Sequence, residues 1–287
     1  MRPVRERLGG PVAVAATAVC LACAPQDSPG IRTEPSARRI VSLVPSVTDW
    51  IVALGVADRL VGRTRYDTAA ILREIPSVGG MLDPSIELLV SLAPDLVLVG
   101  TGTEAAATRA SLRRLGVRTH PVAVETIGDV HGTLTELGRL LDVAPPAAVL
   151  QRRVAEALAV TRGAYADRVR VRVLYVVWAS PPITAGAGTF IDELITIAGG
   201  ENVFRDAPAA WPPVTYETIV ARDPDIIVWP QGLAGVRSVE ELARRPGWAK
   251  VPAVGDGRVV FVAGHLFERP GPNLMVAAAE LARHIHD

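Results

Sequence analysis

Aromatic side chains are scarce in this chain, 5% of its 287 residues, and three of them stand where their faces could hold a large, flat ligand. Tyr66 ends the run VGRTRY. Trp211 lies in Ala-Trp-Pro-Pro, where the prolines disfavour a helix interior or a central strand. Trp178 closes VRVLYVVW just before Pro181-Pro182, at the kind of strand end that borders the crevice of a doubly wound sheet. Trp50, Trp229 and Trp248 fall in helix, strand and loop positions that suit core or surface. Catalytic arrangements are missing by comparison. There is no G-x-S-x-G elbow, no G-x-x-x-x-G-K-[ST] phosphate loop and no H-E-x-x-H pair. The five histidines are scattered, and His284 and His286, two apart, fall on different helix faces. No catalytic residue and no metal site is expected; the chemistry left is binding.

A second pair of candidates comes from an internal echo. Residues 85–100 read SIELLVSLAPDLVLVG and residues 215–230 read TYETIVARDPDIIVWP. Each copy opens a helix with a Glu (Glu87, Glu217), stops it before Pro-Asp, and continues as a wholly apolar strand, all offset by 130 residues. The residue before a proline is pushed out of the α region, and an unbroken apolar strand belongs to a parallel sheet covered on both faces. Two similar α/β lobes are implied. A Glu in a first helical turn also suits the helix macrodipole, which is the structural alternative to a functional role.

The elements that would position these residues follow from the pattern. RIVSLVPS is a strand leading at Pro45-Ser46 into a helix that stops at Gly55, and LVGRTRY is a second strand. After the first echo come a helix stopped by Gly116, a strand around 117–124 and a helix from about 127 to 141. Residues 146–167 show apolar positions at helical spacing and no strand run. A helix of that length reaches roughly 30 Å at 1.5 Å per residue, enough to join two lobes. The strand VRVLYVVW, a helix over 190–198, the second echo, the strand VVFVAG and a closing helix over 274–286 complete the chain. The expected division is an N-terminal lobe over 38–143, a linking helix over 144–168 and a C-terminal lobe over 169–287. A single helical strut permits little hinge bending.

Composition narrows the partners. With 49% hydrophobic residues the chain can bury a substantial core. Lys+Arg and Asp+Glu balance at 30 each, so no basic field for nucleic acid exists. Arg2, Arg5 and Arg7 precede an apolar stretch over 12–22, the layout of an export signal. That stretch is too short to span a bilayer. The two cysteines, Cys20 and Cys23, lie at its end, and Leu21-Ala22-Cys23 resembles the lipobox of bacterial lipoproteins, although Cys20 stands where Leu is usual. Segment 1–23 is therefore expected to be a signal with Cys23 lipidated. Residues 24–37, rich in Pro, Ser and Gly, would tether the domain to the membrane. The mature chain would carry no disulfide.

The order and spacing of RIVSLVPSVTDWIVALG, VGRTRY, VGGMLDPSIELLVSLAPDLV, GGENVF, AWPPVTYETIVARDPDIIV and FERPGPNLMVAAAEL resemble a known family. It comprises the periplasmic and lipoprotein substrate-binding proteins of ABC importers with a rigid helical backbone, which serve vitamin B12, iron siderophores and haem. The resemblance implies a class III substrate-binding fold, two Rossmann-like α/β lobes on one long helix, in a monomer outside the cytoplasm. It implies a ligand held between the lobes, and is nearest to the vitamin B12-binding members. By the same resemblance Tyr66, Trp211, Phe267 and Arg269 line the cleft, with Met81 and Ser46 beside them, and Glu87 and Glu217 pair with arginines of the permease dimer that carries the ATPase. The chain departs from the B12-binding pattern at Gly79-Gly80-Met81, where a stacking Trp is missing. A haem receptor would ligate iron through Tyr66 or His265, and a siderophore receptor would use Arg63, Arg65 and Arg269. A chelatase-like enzyme of similar lobed shape is a further alternative, against which the export signal argues.

Overall fold

The computed structural model describes residues 36–286. The signal segment, Cys23 and tether residues 24–35 lie outside them. The tether predicted to reach residue 37 ends sooner: Ala37 is buried, and its N–H donates to the Leu140 carbonyl at 2.9 Å.

The first lobe runs β1 (Ile40–Ser42), α1 (Pro45–Ala53), β2 (Leu60–Gly62), α2 (Ile86–Ser91), β3 (Leu96–Gly100), α3 (Thr103–Arg114), β4 (Thr119–Val122) and α4 (Ile127–Leu140). One helix of 21 residues, α5 (Ala144–Ala164), leads onward. Its two prolines, Pro145 and Pro146, sit in the first turn, where a missing N–H removes no helical bond. The second lobe runs β5 (Val171–Ala179), β6 (Pro182–Thr184), α6 (Phe190–Ile197), β7 (Gly200–Asn202), α7 (Tyr216–Arg222), β8 (Ile226–Pro230), α8 (Val239–Ala243), α9 (Pro252–Gly255), β9 (Val259–Val262) and α10 (Leu274–His286). The parallel sheets share one plan, β2-β1-β3-β4 in the first lobe and β7-β5-β8-β9 in the second.

The echo is a structural fastening made twice. Helices α2 and α7 begin 130 residues apart, as do strands β3 and β8. Ser85 and Thr215 cap the helices, their side chains accepting from the N–H groups of Leu88 and Thr218. Past each helix the chain turns through a left-handed residue, Ala93 (φ 46°) and Asp223 (φ 42°), and reaches Pro-Asp. The Asp then clasps the neighbouring strand. Asp95 Oδ2 accepts from the N–H groups of Arg38 and Arg39 at 2.8 and 3.0 Å, and Asp225 Oδ2 accepts from that of Arg172 at 2.8 Å. The same strands return an arginine to the helix end: Arg39 donates to the carbonyls of Leu92 and Ala93, and Arg172 to those of Arg222 and Asp223. The two arginines satisfy carbonyls at the helix ends and the two aspartates bind strand N–H groups, so the repeated Asp has an architectural role.

Alternation along the central strands buries both faces. Leu96 and Leu98 of β3 face one core and Val97 and Val99 another. In β5, Val173 and Tyr175 join the same core as Leu96, while Leu174 and Val176 pack with Trp229 and Trp248. The first of these cores is continuous through α1, α4, α5, α6 and α10, so the two sheets share one hydrophobic interior. Two elements have no clear sequence signal. Strand β6 is antiparallel to β5 and begins at Pro182, a residue that reads as a strand breaker but is tolerated on an edge. Strand β7 is Gly-Glu-Asn, poor strand formers that pair because the long β5 offers a free edge. The second strand, expected to run to Tyr66, ends at Gly62.

Candidate functional site

A cavity of about 570 Å³ opens where β5 and β8 end, within the size range of ligand pockets. Its walls include Tyr175 and Val177 of β5, Phe190 at the start of α6, Trp211, and Phe267 with Glu268. The rings are in contact: Tyr175 and Phe267 lie 5.9 Å apart at 44°, and Phe190 and Trp211 lie 6.3 Å apart, edge to face. Trp211 is positioned by backbone. The loop before α7 is strapped to the β6 region by Thr184 N–H to the Pro212 carbonyl (3.1 Å), Gly186 N–H to Ala210 (2.7 Å) and Val214 N–H to Pro182 (2.8 Å). Gly186 permits this closeness, since a Cβ there would lie 2.4 Å from the Ala209 carbonyl oxygen. The edge strand that the sequence hides is therefore what holds the aromatic that the sequence shows.

The turn carrying Phe267 and Glu268 is tied to the other lobe. Arg269 donates from Nε to Asp49 Oδ2 of α1 at 2.6 Å and from Nη2 to Oδ1 at 3.5 Å, a two-pronged pair. Arg269 Nη1 also donates to the Tyr66 carbonyl at 3.2 Å, and the Trp50 indole N–H donates to the Pro270 carbonyl at 3.0 Å. Burial pushes the Asp49 carboxyl above its ordinary 3.8, against the lowering effect of Arg269. An acid that holds its proton more tightly when folded loses stabilising effect as pH rises from 3.8 through the raised value. Melts of the wild type and Asp49→Asn over roughly pH 3.5–6 should show the wild type losing ground to the variant as pH increases. A gap that stays constant or widens in favour of the wild type contradicts that sign.

The expected site residues separate into groups. Trp211 and Phe267 line the cavity together. Arg269 adjoins it but is engaged by Asp49, and Tyr66 is attached through its backbone, with its ring half exposed beneath the Arg65 guanidinium at 5.4 Å. Trp178 does not line the cavity; it is exposed, and its indole N–H donates to the Ser180 carbonyl two residues on. Neither do Met81, on the loop before α2, nor Ser46, buried in the first turn of α1. His265 is exposed and outside the lining, its carbonyl accepting from Asn273. Of the arginines suggested for an anionic chelate, Arg65 pairs with Asp83 at 2.6 Å and Arg63 donates to the carbonyls of Leu72 and Thr64. Among the described residues, no Lys, Arg or His lines the cavity.

Sequence reasoning passed over Tyr175, Phe190 and Glu268. Tyr175 sits inside an apolar strand run whose two faces look alike in sequence, and Phe190 looks like an ordinary helix start. Burial, then the Glu268 charge, push the Tyr175 hydroxyl well above the usual tyrosine range, so it keeps its proton and can donate. Glu268 lies between Phe267 and Arg269 at the start of FERPGPNLMVAAAEL, where the sequence makes it visible. The GGENVF stretch has a structural role: buried Asn202 donates to Asp192 Oδ1 at 3.0 Å and to the Ala185 carbonyl at 2.9 Å.

Glu87 and Glu217 lie in the first turns of α2 and α7, both exposed and both outside the aromatic cavity. Glu217 borders a second hollow of about 360 Å³ with Tyr216, Trp248 and Lys250.

Comparison with known proteins places this geometry among relatives. Residues 40–264 match the profile of the periplasmic binding protein family. The vitamin B12-binding protein of Salmonella typhimurium is 27% identical over 247 residues, covering 86% of this chain and 89% of that protein. An uncharacterised ABC transporter substrate-binding lipoprotein of Bacillus subtilis, YvrC, is 30% identical over 270 residues, covering 89% and 82%. Among solved structures, the periplasmic heme-binding protein RhuT from Roseiflexus sp. RS-1 superposes with a TM-score of 0.77 at 27% identity, covering 88% of this chain and 99% of that one.

Proposed function

We propose a function on the premise that this chain belongs to the periplasmic binding protein family: it is the extracytoplasmic substrate-binding protein of an ABC importer, capturing cobalamin or a related corrinoid and delivering it to the permease. One observation carries the choice of ligand class. The cavity is walled by aromatic rings and contains no cationic side chain among the described residues, so it offers stacking faces to a macrocycle and no counter-ion to a carboxylate. A corrinoid presents a periphery of neutral amides. Haem presents two propionates, and ferric siderophores are commonly anionic; each would leave charge unpaired at such a wall. The resemblance to a haem-binding structure keeps haem as the second reading. Anchoring through Cys23 is part of the same proposal and rests on the sequence alone.

The test is the absorbance spectrum and thermal shift of the mature domain with cyanocobalamin, haemin and ferric siderophores in parallel. Ligand at 100 times its Kd should stabilise the fold by about 2.7 kcal/mol. Trp211→Ala should weaken corrinoid binding at least about tenfold, as truncation of a buried aromatic anchor does, while Trp178→Ala should leave affinity unchanged. A shift with haemin or a siderophore and none with any corrinoid overturns the ligand assignment. Equal losses in the two tryptophan variants overturn the location.

A further inference from the structure

We infer that the Glu268 carboxylate sets the charge selectivity of the aromatic cavity, favouring ligands whose periphery donates hydrogen bonds and rejecting those that carry carboxylates. The inference rests on the cavity being the ligand site and goes beyond the ligand's identity to the residue that discriminates. Among the described residues, Glu268 is the one acidic side chain in the lining, and no cationic side chain shares that wall. Its two sequence neighbours fix its place: Phe267 is buried against Tyr175, and Arg269 is held by Asp49 and the Tyr66 carbonyl. Arg269, the cation next to it in sequence, is therefore committed elsewhere. Asp49 engages Arg269 through both oxygens, so the guanidinium cannot turn to Glu268 without breaking that pair.

Further negative charge stands behind it. Asp67 is buried, one of its oxygens accepting from the Thr64 N–H and hydroxyl at 2.7 Å each; the other has no hydrogen-bond partner. After burial, the charges of Asp67 and Glu268 also raise the Asp49 carboxyl, so three acids from α1, the Tyr66 loop and the C-terminal turn share one electrostatic neighbourhood in which Arg269 is committed to Asp49. A ligand carboxylate entering here meets the Glu268 carboxylate with no cation in the described lining to offset it, whereas an amide N–H₂ meets a hydrogen-bond acceptor. Like-charge juxtaposition is the usual means of excluding a wrong partner. Because Glu268 is exposed in the open cavity, salt should weaken the discrimination.

The experiment compares ligands that differ only in carboxylate against neutral group. Cyanocobalamin is set against its monocarboxylic acid, in which one peripheral amide is hydrolysed, and haemin against its dimethyl ester, for wild type, Glu268→Gln and Glu268→Asp. On the scaffold that binds, wild type should prefer the neutral form by about tenfold at neutral pH and low salt. Glu268→Gln should bring the ratio within about threefold and Glu268→Asp should retain it, with unchanged circular dichroism in both variants. Preference for the neutral haem ester with no binding of either corrinoid refutes the corrinoid assignment and leaves the inference standing. Binding of either scaffold with no neutral preference, or with the same ratio in Glu268→Gln, overturns the inference alone. Binding of neither scaffold overturns both.

Discussion

Replacing Glu87 and Glu217 together with Ala is expected to abolish ligand uptake by the importer reconstituted with its own permease, while the Kd for ligand in solution stays where it was. The two residues hold equivalent places on the two lobes, the second helical position after a hydroxyl cap, 130 residues apart. That equivalence suits a partner with two-fold symmetry, which presents the same basic group twice. Neither glutamate is needed to begin its helix, because Ser85 and Thr215 already accept from the first-turn N–H groups. Glu217 is ionised at neutral pH: its own backbone N–H, the Thr215 hydroxyl and the Lys250 charge hold its carboxyl below the usual range. Around Glu87 the surface exposes Leu82 and Leu88, apolar area of the kind an interface covers. Reversal to Arg should be worse than Ala, since it places like charges across the contact. If the glutamates served only the helix dipole, the double Ala variant would transport normally well below its melting temperature. Wild-type uptake by that variant removes the docking assignment.

The second large effect is on folding. Trp248→Ala should destabilise the protein by about 3–5 kcal/mol, the range for truncating a buried Trp. The indole is 1% exposed, packs edge to face on Trp229 at 5.2 Å and on Tyr216 at 5.5 Å, and donates to the Ala179 carbonyl at 3.4 Å. The turn before it is fitted to the same cluster: Gly247 has φ of 87°, and a Cβ there would meet the Tyr216 ring at 2.3 Å. Trp178→Ala, by contrast, truncates an exposed ring and should stay within about 0.5 kcal/mol of wild type. Urea unfolding monitored by circular dichroism measures both. A loss below about 1 kcal/mol for Trp248→Ala would mean that the cluster does not hold the second lobe together.

What could be read from the sequence was what local chemistry dictates. The echo exposed the equivalent halves of the two sheets because a left-handed residue, a proline and a strand-clasping aspartate must follow one another closely wherever that junction is built. Trp211 could be singled out because prolines on its C-terminal side deny it a regular element. Strands β6 and β7 could not, because their pairing is imposed by the length of β5 and not by their own composition. Trp178 looked equivalent to Trp211 from its loop-edge position, yet a hydrogen bond to Ser180 holds it at the surface. Tyr175 and Phe190 were hidden for the opposite reason: both are buried, and only the three-dimensional meeting of β5, α6 and the C-terminal turn separates cavity wall from ordinary core. The balance of charge around Arg269 was likewise invisible, since Asp49 lies 220 residues away in the chain.

The shared interior beneath both sheets, together with the Trp50–Pro270 and Asp49–Arg269 links, has a kinetic corollary. A receptor whose two halves are already joined in one packed body offers the arriving ligand a preorganised surface, so little free energy is diverted into closing a jaw. Association then depends on diffusion and orientation, and related ligands should differ chiefly in how long they remain bound.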